Sequence, residues 1–393
     1  MNEGIVVNHH RFNRVLVNGL LAMSVTLTGA CDSDSEPPAD PVVSMRSADE
    51  AAPAHVAGMG LGDGESWAVL DSGNVKGWGD RFCDGDECLT PAQTPTVDLD
   101  GPAVEVHGNG EYSVALMADG TVKGWGPSAS DIEAPQPVAF PGIVTALGLG
   151  EDFLCAQLDD GTVQCQGIDG TPAPAWIATF ALPGPVADLS AGAHHACART
   201  PTGDVTCWGN NDSGQLGSPG ATGPTSIPLS GAATQVAAGG AHTCARIDDG
   251  TMQCWGNNDE DQLGHALAGV GTVPLADPIE KIAAGAEHTC AITEVLGDLY
   301  CWGSNALGQL GEGTDLPSGL RHVDLAEHGA TEIVAGPTAW TTFAVMDHGG
   351  LRGWGDEDQG QTGYGEALDD GPPPTRAVGN LPDILILDVP DDV

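Results

Sequence analysis

The chain has 393 residues and carries a net charge of −43, from 12 Lys and Arg against 55 Asp and Glu. So few cations cannot build the basic footprint that neutralises a phosphate backbone, which excludes nucleic acid as a partner class. Hydrophobic residues reach 41 %, enough to fill a core and too many for wholesale disorder, whereas the charge alone does not choose between a solvated surface and a cationic partner.

Residues 1–30 read as an export signal. Arg11 and Arg14 supply a positive start, Val15 to Ala30 form a mostly apolar run, and Gly29-Ala30 stand directly before Cys31. The run is shorter and more interrupted than the roughly 20 apolar residues of a comfortable membrane span. Thr26-Leu-Thr-Gly-Ala-Cys31 resembles a bacterial lipoprotein signal, with Cys31 as the lipidation site, although Leu27 is displaced by one place and Thr28 stands where the signal prefers Leu. The competing reading is an ordinary secretory signal cleaved nearby; both take the chain out of the cytoplasm. Residues 31–54, acidic and Pro/Ala-rich, read as a tether. Membrane contact is expected through the lipid anchor only.

From about His55 to Asp383 the sequence repeats. A Trp-Gly landmark falls at Trp78, Trp125, Trp208, Trp255, Trp302 and Trp354, with Gln166 in the Trp position of the third unit. The steps are 47, 41, 42, 47, 47 and 52 residues. Each unit holds a hairpin with a short loop that carries a glycine at its end: Gly73, Gly120, Gly161, Gly203, Gly250, Gly297 and Gly349. That position needs positive φ in a type I turn followed by a bulge. Short alternating strands, Gly/Pro-rich connections and no helical period predict an all-β fold, and seven four-stranded units of this length predict a seven-bladed β-propeller. Residues 384–393 are left as a C-terminal strand or tail.

Counting across the hairpin loops sets Cys155 opposite Cys165, Cys197 opposite Cys207, Cys244 opposite Cys254 and Cys290 opposite Cys301. Units one, two and seven carry Trp67/Gly77, Val114/Gly124 and Phe343/Gly353 instead, so no unit holds a single cysteine. An all-or-none pattern points to disulfides, with a bulky residue facing glycine as the steric substitute. Cys83 and Cys88 make a fifth pair. Metal ligation is the alternative, but hairpins in separate units do not gather four thiolates.

Trp208-Gly-Asn-Asn-Asp-Ser-Gly-Gln-Leu-Gly217, Trp255-Gly-Asn-Asn-Asp-Glu-Asp-Gln-Leu-Gly264 and Trp302-Gly-Ser-Asn-Ala-Leu-Gly-Gln-Leu-Gly311 resemble the regulator of chromosome condensation repeat. Ala237 to Ala245 and Ala283 to Ala291 match its other half, the seventh unit keeps a worn copy, and units one to three lose the Gly-Gln-Leu-Gly part. The resemblance implies a seven-bladed propeller. The founding member's exchange activity on the Ran GTPase and its chromatin binding do not carry over to an exported, acidic chain.

No catalytic signature is present: no HExxH, G-x-S-x-G, P-loop or Rossmann fingerprint. His195, His242 and His288 recur two residues before a cysteine, which reads as a structural part of the repeat bonding a neighbouring strand; a ring of ligands or catalytic imidazoles is the competing reading. The six Trp-Gly tryptophans read as blade packing. Asp84, Asp86 and Glu87 concentrate carboxylates that could hold calcium, although their spacing fits no known loop. No other cofactor is expected.

The leading expectation is therefore a monomeric, non-enzymatic module at a bacterial cell envelope, lipid-anchored or secreted. It would bind an unknown protein ligand through one propeller face, with the loops of units one to three as candidate contacts. Two alternatives stand beside it: an envelope enzyme acting on glycan or peptide at the channel mouth, and a calcium-dependent adhesion module.

Overall fold

The computed structural model describes residues 54–388, apart from 85–86, 127–134, 169–172, 175–176, 178–181, 183–184, 268, 312, 316–318 and 365–377. The signal, Cys31 and nearly all of the tether lie outside the described residues. Among the described residues no helix is long and apolar enough to cross a membrane.

Seven small antiparallel sheets form a ring. Blade 1 is built from Val56–Gly62, Glu65–Leu70, Val75–Gly79 and Thr96–Val97. Blade 5 repeats the plan with Ala233–Ala238, His242–Ile247, Met252–Gly256 and Gly271–Thr272. Blades 2 and 4 also show four strands. Elsewhere the strand count differs. Blades 3 and 7 show three strands among the described residues, and blade 6 has five, because Gly313–Asp315 adds an extra hairpin partner to Arg321–Val323.

The hairpin glycines all take positive φ, from 67° at Gly297 to 88° at Gly203, as their loop position requires. A feature the repeat did not reveal is a bulge near the start of the first strand in six of the seven blades, as between Ala233 and Gln235. A bulge bends a strand and strengthens its local twist, here next to the channel.

Cysteine register follows the hairpin count. Cys155, Cys197, Cys244 and Cys290 pair with Cys165, Cys207, Cys254 and Cys301, at Cα separations of 4.0 to 4.1 Å. Cys83 and Cys88 close a separate two-stranded hairpin. Where the disulfide is absent, a Cβ on Gly77 would strike the Trp67 ring and one on Gly353 the Phe343 ring. Blade 2 departs from this substitution: the space at Gly124 is filled by the Tyr112 hydroxyl and Val138, because Val114 is too short to reach it.

The first strand of each blade faces the channel and has no further strand beside it, an edge that would otherwise leave N–H groups bare. Polar side chains of the preceding blade cover some of them. Asp188 accepts from the Val236 N–H at 3.1 Å, Ser190 from Ala238 at 2.9 Å, Gln235 from Ile282 at 3.0 Å and Glu105 from Leu147 at 3.2 Å.

Ring closure is carried by the repeat residues themselves. The indole N–H groups of Trp255, Trp302 and Trp354 donate to the backbone carbonyls of Gln215, Gln262 and Gln309 in the preceding blade, at 2.9 to 3.0 Å. Trp78 of blade 1 completes the circle on Gln361 of blade 7 at 2.9 Å. At the C-terminal end, Ile384 donates to Leu351 and Ile386 accepts from Ala54. Leu381, Ile384 and Ile386 are buried in the core shared by blades 6, 7 and 1, so this segment packs as part of the propeller.

Candidate functional site: the acidic channel mouth

The repeat histidines sit behind the mouth and build it. His195, His242 and His288 are fully buried, and each Nε2 lies 2.7 to 2.8 Å from a threonine hydroxyl of the next blade: Thr243, Thr289 and Thr342. Each threonine hydroxyl donates in turn to the Gln215, Gln262 or Gln309 carbonyl, which assigns the Nε2 proton to histidine as donor. Burial pulls their pKa down, to about 3 for His195, about 4 for His242 and about 3 for His288. They are neutral struts between blades. Gly192, Gly239 and Gly285 have no room for a Cβ because the imidazole rings occupy that space.

Four blades depart from this plan. Blade 7 has Thr341 at the histidine position, blade 3 has Phe153 and blade 2 has Tyr112. In blade 1 the position is Glu65, a fully buried carboxylate. Its Oε1 accepts from Ser113 Oγ at 3.1 Å and from the Gly110 N–H at 3.2 Å, and its Oε2 lies 3.0 Å from Arg81 Nε. Burial raises its pKa, opposed by the Arg81 guanidinium and these hydrogen bonds. The sequence reading overlooked Glu65; counting two residues before Trp67, the cysteine position of its unit, would have found it.

Above these struts lies the mouth, a cavity of about 730 Å³ at the end of the channel where first and second strands are joined. Its rim is fastened from blade to blade. Asn109 Nδ2 donates to Gly150 O at 2.9 Å, Glu151 N to Ala193 O at 2.9 Å, Ala193 N to Gly240 O at 3.2 Å, Gly240 N to Gly285 O at 3.1 Å and Ala286 N to Ala339 O at 3.0 Å. A rim held this way presents its side chains on a rigid support.

Those side chains are acidic. Asp63, Asp80, Glu111, Glu151, Glu287, Asp356 and Asp358 line the cavity, His194 joins them, and among the described residues no Lys or Arg does. Glu151 holds His194, with Oε2 3.2 Å from Nε2. Partial burial raises the pKa of Asp63, and the charges of Asp356, Asp80 and Glu151 raise it further. Asp356 is also raised, by burial first, and Glu287 by burial and then by Glu260 and Asp259. The carboxylates come from blades 1, 2, 3, 6 and 7, so the site extends beyond the first three units. Below the mouth, the narrower channel holds Glu105 and His107 in contact at 2.7 Å among mostly apolar first-strand residues.

Of the suggested calcium ligands, Asp86 lies outside the described residues, as do the side chains of Asp84 and Glu87; the backbone pairs Asp84 with Glu87. The six Trp-Gly tryptophans are all buried.

Residues 186–215, 233–262 and 279–309 match the family described as the regulator of chromosome condensation (RCC1) repeat, and a second description of the same repeat matches residues 202–246. Blades 4 to 6 thus carry regulator of chromosome condensation repeats. No curated protein sequence matches it significantly. Among solved structures, this repeat propeller is similar to human WBSCR16, with 19 % identity and a TM-score of 0.59 over 70 % of this chain and 81 % of that one. It is similar to Prp20p from Saccharomyces cerevisiae, a protein with binding properties toward Gsp1p and histones, at 18 % identity and a TM-score of 0.57 over 76 % and 83 %. The ectodomain of the Arabidopsis thaliana receptor kinase ACR4 is also similar, at 20 % identity and a TM-score of 0.52 over 77 % and 96 %. At these identities the likeness carries the fold.

Proposed function

We propose that this regulator of chromosome condensation repeat propeller is a non-enzymatic protein-binding module, exported and held at a bacterial cell envelope, that takes a basic segment of its partner into the acidic mouth. The observation that carries the reading is the charge of a rigid cavity: seven carboxylates converge with no Lys or Arg among the described lining residues. Like charges held together raise one another's pKa, and a cationic guest relieves that repulsion. The same field repels phosphate, which argues against nucleic acid. Prp20p shares the fold and has binding properties toward Gsp1p and histones, so protein docking is a use of this scaffold elsewhere. Export is supported by the signal before Cys31 and by five disulfides, which persist in oxidising compartments. In this reading Cys31 carries lipid, residues 31–54 form the tether, and the propeller acts as a monomer.

Crosslinking on intact cells tests the proposal. A photoreactive residue at position 194, in the mouth, captures a saturable partner through a Lys/Arg-rich segment, while the same residue at position 249, on a hairpin loop, does not. Equal capture at both positions, or none at position 194, contradicts it. A second reading is favoured by the raised carboxylates of Asp63 and Asp356: a glycan-cleaving enzyme using one as general acid. Hydrolysis of envelope glycan that disappears in Asp63→Asn would establish it in place of the binding module.

A further inference from the structure

At the opposite end of the strands from the mouth, residues far apart in sequence converge on blade 7. His328 lies in the connection entering the blade, before Ala330–Val334. Asp347 and His348 lie in the hairpin loop between Thr341–Met346 and Leu351–Gly355. Asp347 Oδ1 is 3.1 Å from His328 Nδ1 and 3.4 Å from His348 Nδ1, and one ligand atom from each of the three residues lies within 4.8 Å of the others. The imidazole rings stand 4.4 Å apart, tilted by 47°.

Two features go beyond a chance grouping of polar side chains. The first is distance. Ligands about 2.0–2.1 Å from a tetrahedral zinc lie about 3.3 Å from one another, and the two Nδ1-to-Oδ1 separations bracket that edge. The second is the orientation of His348. Its Nε2 lies 2.9 Å from Asp383 Oδ2, and Asp383 is itself held by Arg352 Nε at 3.2 Å. A carboxylate only accepts, so Nε2 carries the proton of the neutral ring. With the ring neutral, Nδ1 turns a lone pair toward the Asp347 carboxylate, and a metal ion between them would take the place of the Nδ1 proton that a charged ring donates to Asp347. A metal-ligating histidine whose other nitrogen donates to a carboxylate is the usual outer support of such a site. Gly350 makes room for it, since a Cβ there would collide with the Asp383 carboxyl. The backbone fixes Asp347, whose Oδ2 accepts from the Gly329 N–H at 3.2 Å.

We propose that His328, Asp347 and His348 form a binding site for a divalent transition metal of the zinc class, with Asp383 orienting His348. Two imidazoles and one carboxylate suit zinc and its borderline neighbours and disfavour calcium, which takes six to eight oxygen ligands. The three ligands leave a fourth position to water, and all three are exposed enough for an ion to enter directly. The ion would tie the connection from blade 6 to the hairpin of blade 7, beside the C-terminal segment that closes the ring.

Calorimetric titration of the full chain with Zn²⁺ tests this. The double variant His328→Ala/His348→Ala binds one Zn²⁺ fewer per chain than the wild type. Asp383→Asn keeps the stoichiometry and weakens that site about tenfold, as loss of an outer-shell partner does. Circular dichroism confirms that these surface variants remain folded, and Ca²⁺ titration is the same in all of them. Unchanged Zn²⁺ stoichiometry in the folded double variant overturns the site, and Ca²⁺ binding lost with the two histidines overturns its assignment to the zinc class.

Discussion

Acid should loosen the ring at its histidine struts. The imidazoles of His195, His242 and His288 have an ordinary pKa of 6.5 in the unfolded chain, and burial holds them at about 3, about 4 and about 3 in the fold. The folded state therefore binds fewer protons than the unfolded state once the pH falls below 6.5. Their contribution is intact above that value and is lost progressively down to the folded pKa. At pH 5, linkage costs about 2 kcal/mol for each histidine. Buried and crowded carboxylates act in the opposite sense, because Glu65, Asp188 and Asp63 have raised pKa values and gain from protonation in the fold. The clean quantity is thus a difference between proteins. His242→Gln keeps a donor for Thr289 Oγ1 and removes one titrating ring. Urea unfolding at pH 7 and pH 5, with disulfides intact and tryptophan fluorescence as the signal, should show wild type losing about 2 kcal/mol more than His242→Gln over this interval. The packing cost of the substitution is present at both pH values and cancels. Identical pH dependence in the two proteins would refute the buried, neutral-histidine account.

Glu65 and Arg81 offer a second test, because their ion pair is almost dry on the Glu65 side. Arg81→Gln should cost about 3 kcal/mol in urea unfolding, and Glu65→Gln in that background should recover most of it; no recovery would contradict the pairing. The Arg81→Gln defect should also shrink as the pH falls, since Glu65, with its pKa raised, takes up a proton in the fold. Removing the Cys244–Cys254 bond as a Ser/Ser variant should cost about 2–3 kcal/mol by the loop-entropy argument. Cys244→Phe with Cys254→Gly, copying Phe343 and Gly353, should recover part of that loss in the same assay; a Phe/Gly variant no better than Ser/Ser would refute the steric-substitute reading. Asp63→Asn should raise the melting temperature by about 1–2 °C at pH 7, because it relieves repulsion from Asp356, Asp80 and Glu151. A lowered melting temperature would mean that Asp63 has a stabilising partner instead.

Periodicity made the ring legible. The Trp-Gly steps count the blades, and glycine at the loop end with cysteines at equal reach fixes the hairpin register, because antiparallel pairing is set by turn length. Trp255 and His242 could be read as structural from recurrence, but their partners could not. Gln215 offers a backbone carbonyl, which has no sequence signature, and Thr289 lies 47 residues from His242. Departures from the repeat were read least well. Glu65 occupies a histidine position in a unit whose Ser66 and Trp67 had also changed, and Tyr112 reaches across to fill the space at Gly124. The mouth was hardest to foresee, because its carboxylates come one or two at a time from loops of five blades and meet only when the ring closes. His328 and Asp383 are similarly remote, 55 residues apart in sequence and brought to His348 from two sides.

The most direct measurement of the central claim compares two equal losses of charge. A fluorescent arginine-rich peptide is titrated by anisotropy into wild type, into a mouth variant (Asp63→Asn, Glu151→Gln, Asp356→Asn) and into a hairpin-loop variant (Asp119→Asn, Asp160→Asn, Asp249→Asn). Each variant removes three negative charges, so screening by the net charge of the chain is matched. If the mouth is the docking site, its variant binds at least about tenfold more weakly than wild type and the hairpin variant less than about twofold. Equal weakening in the two variants would show that the peptide follows the overall charge, and would contradict the mouth as the binding site.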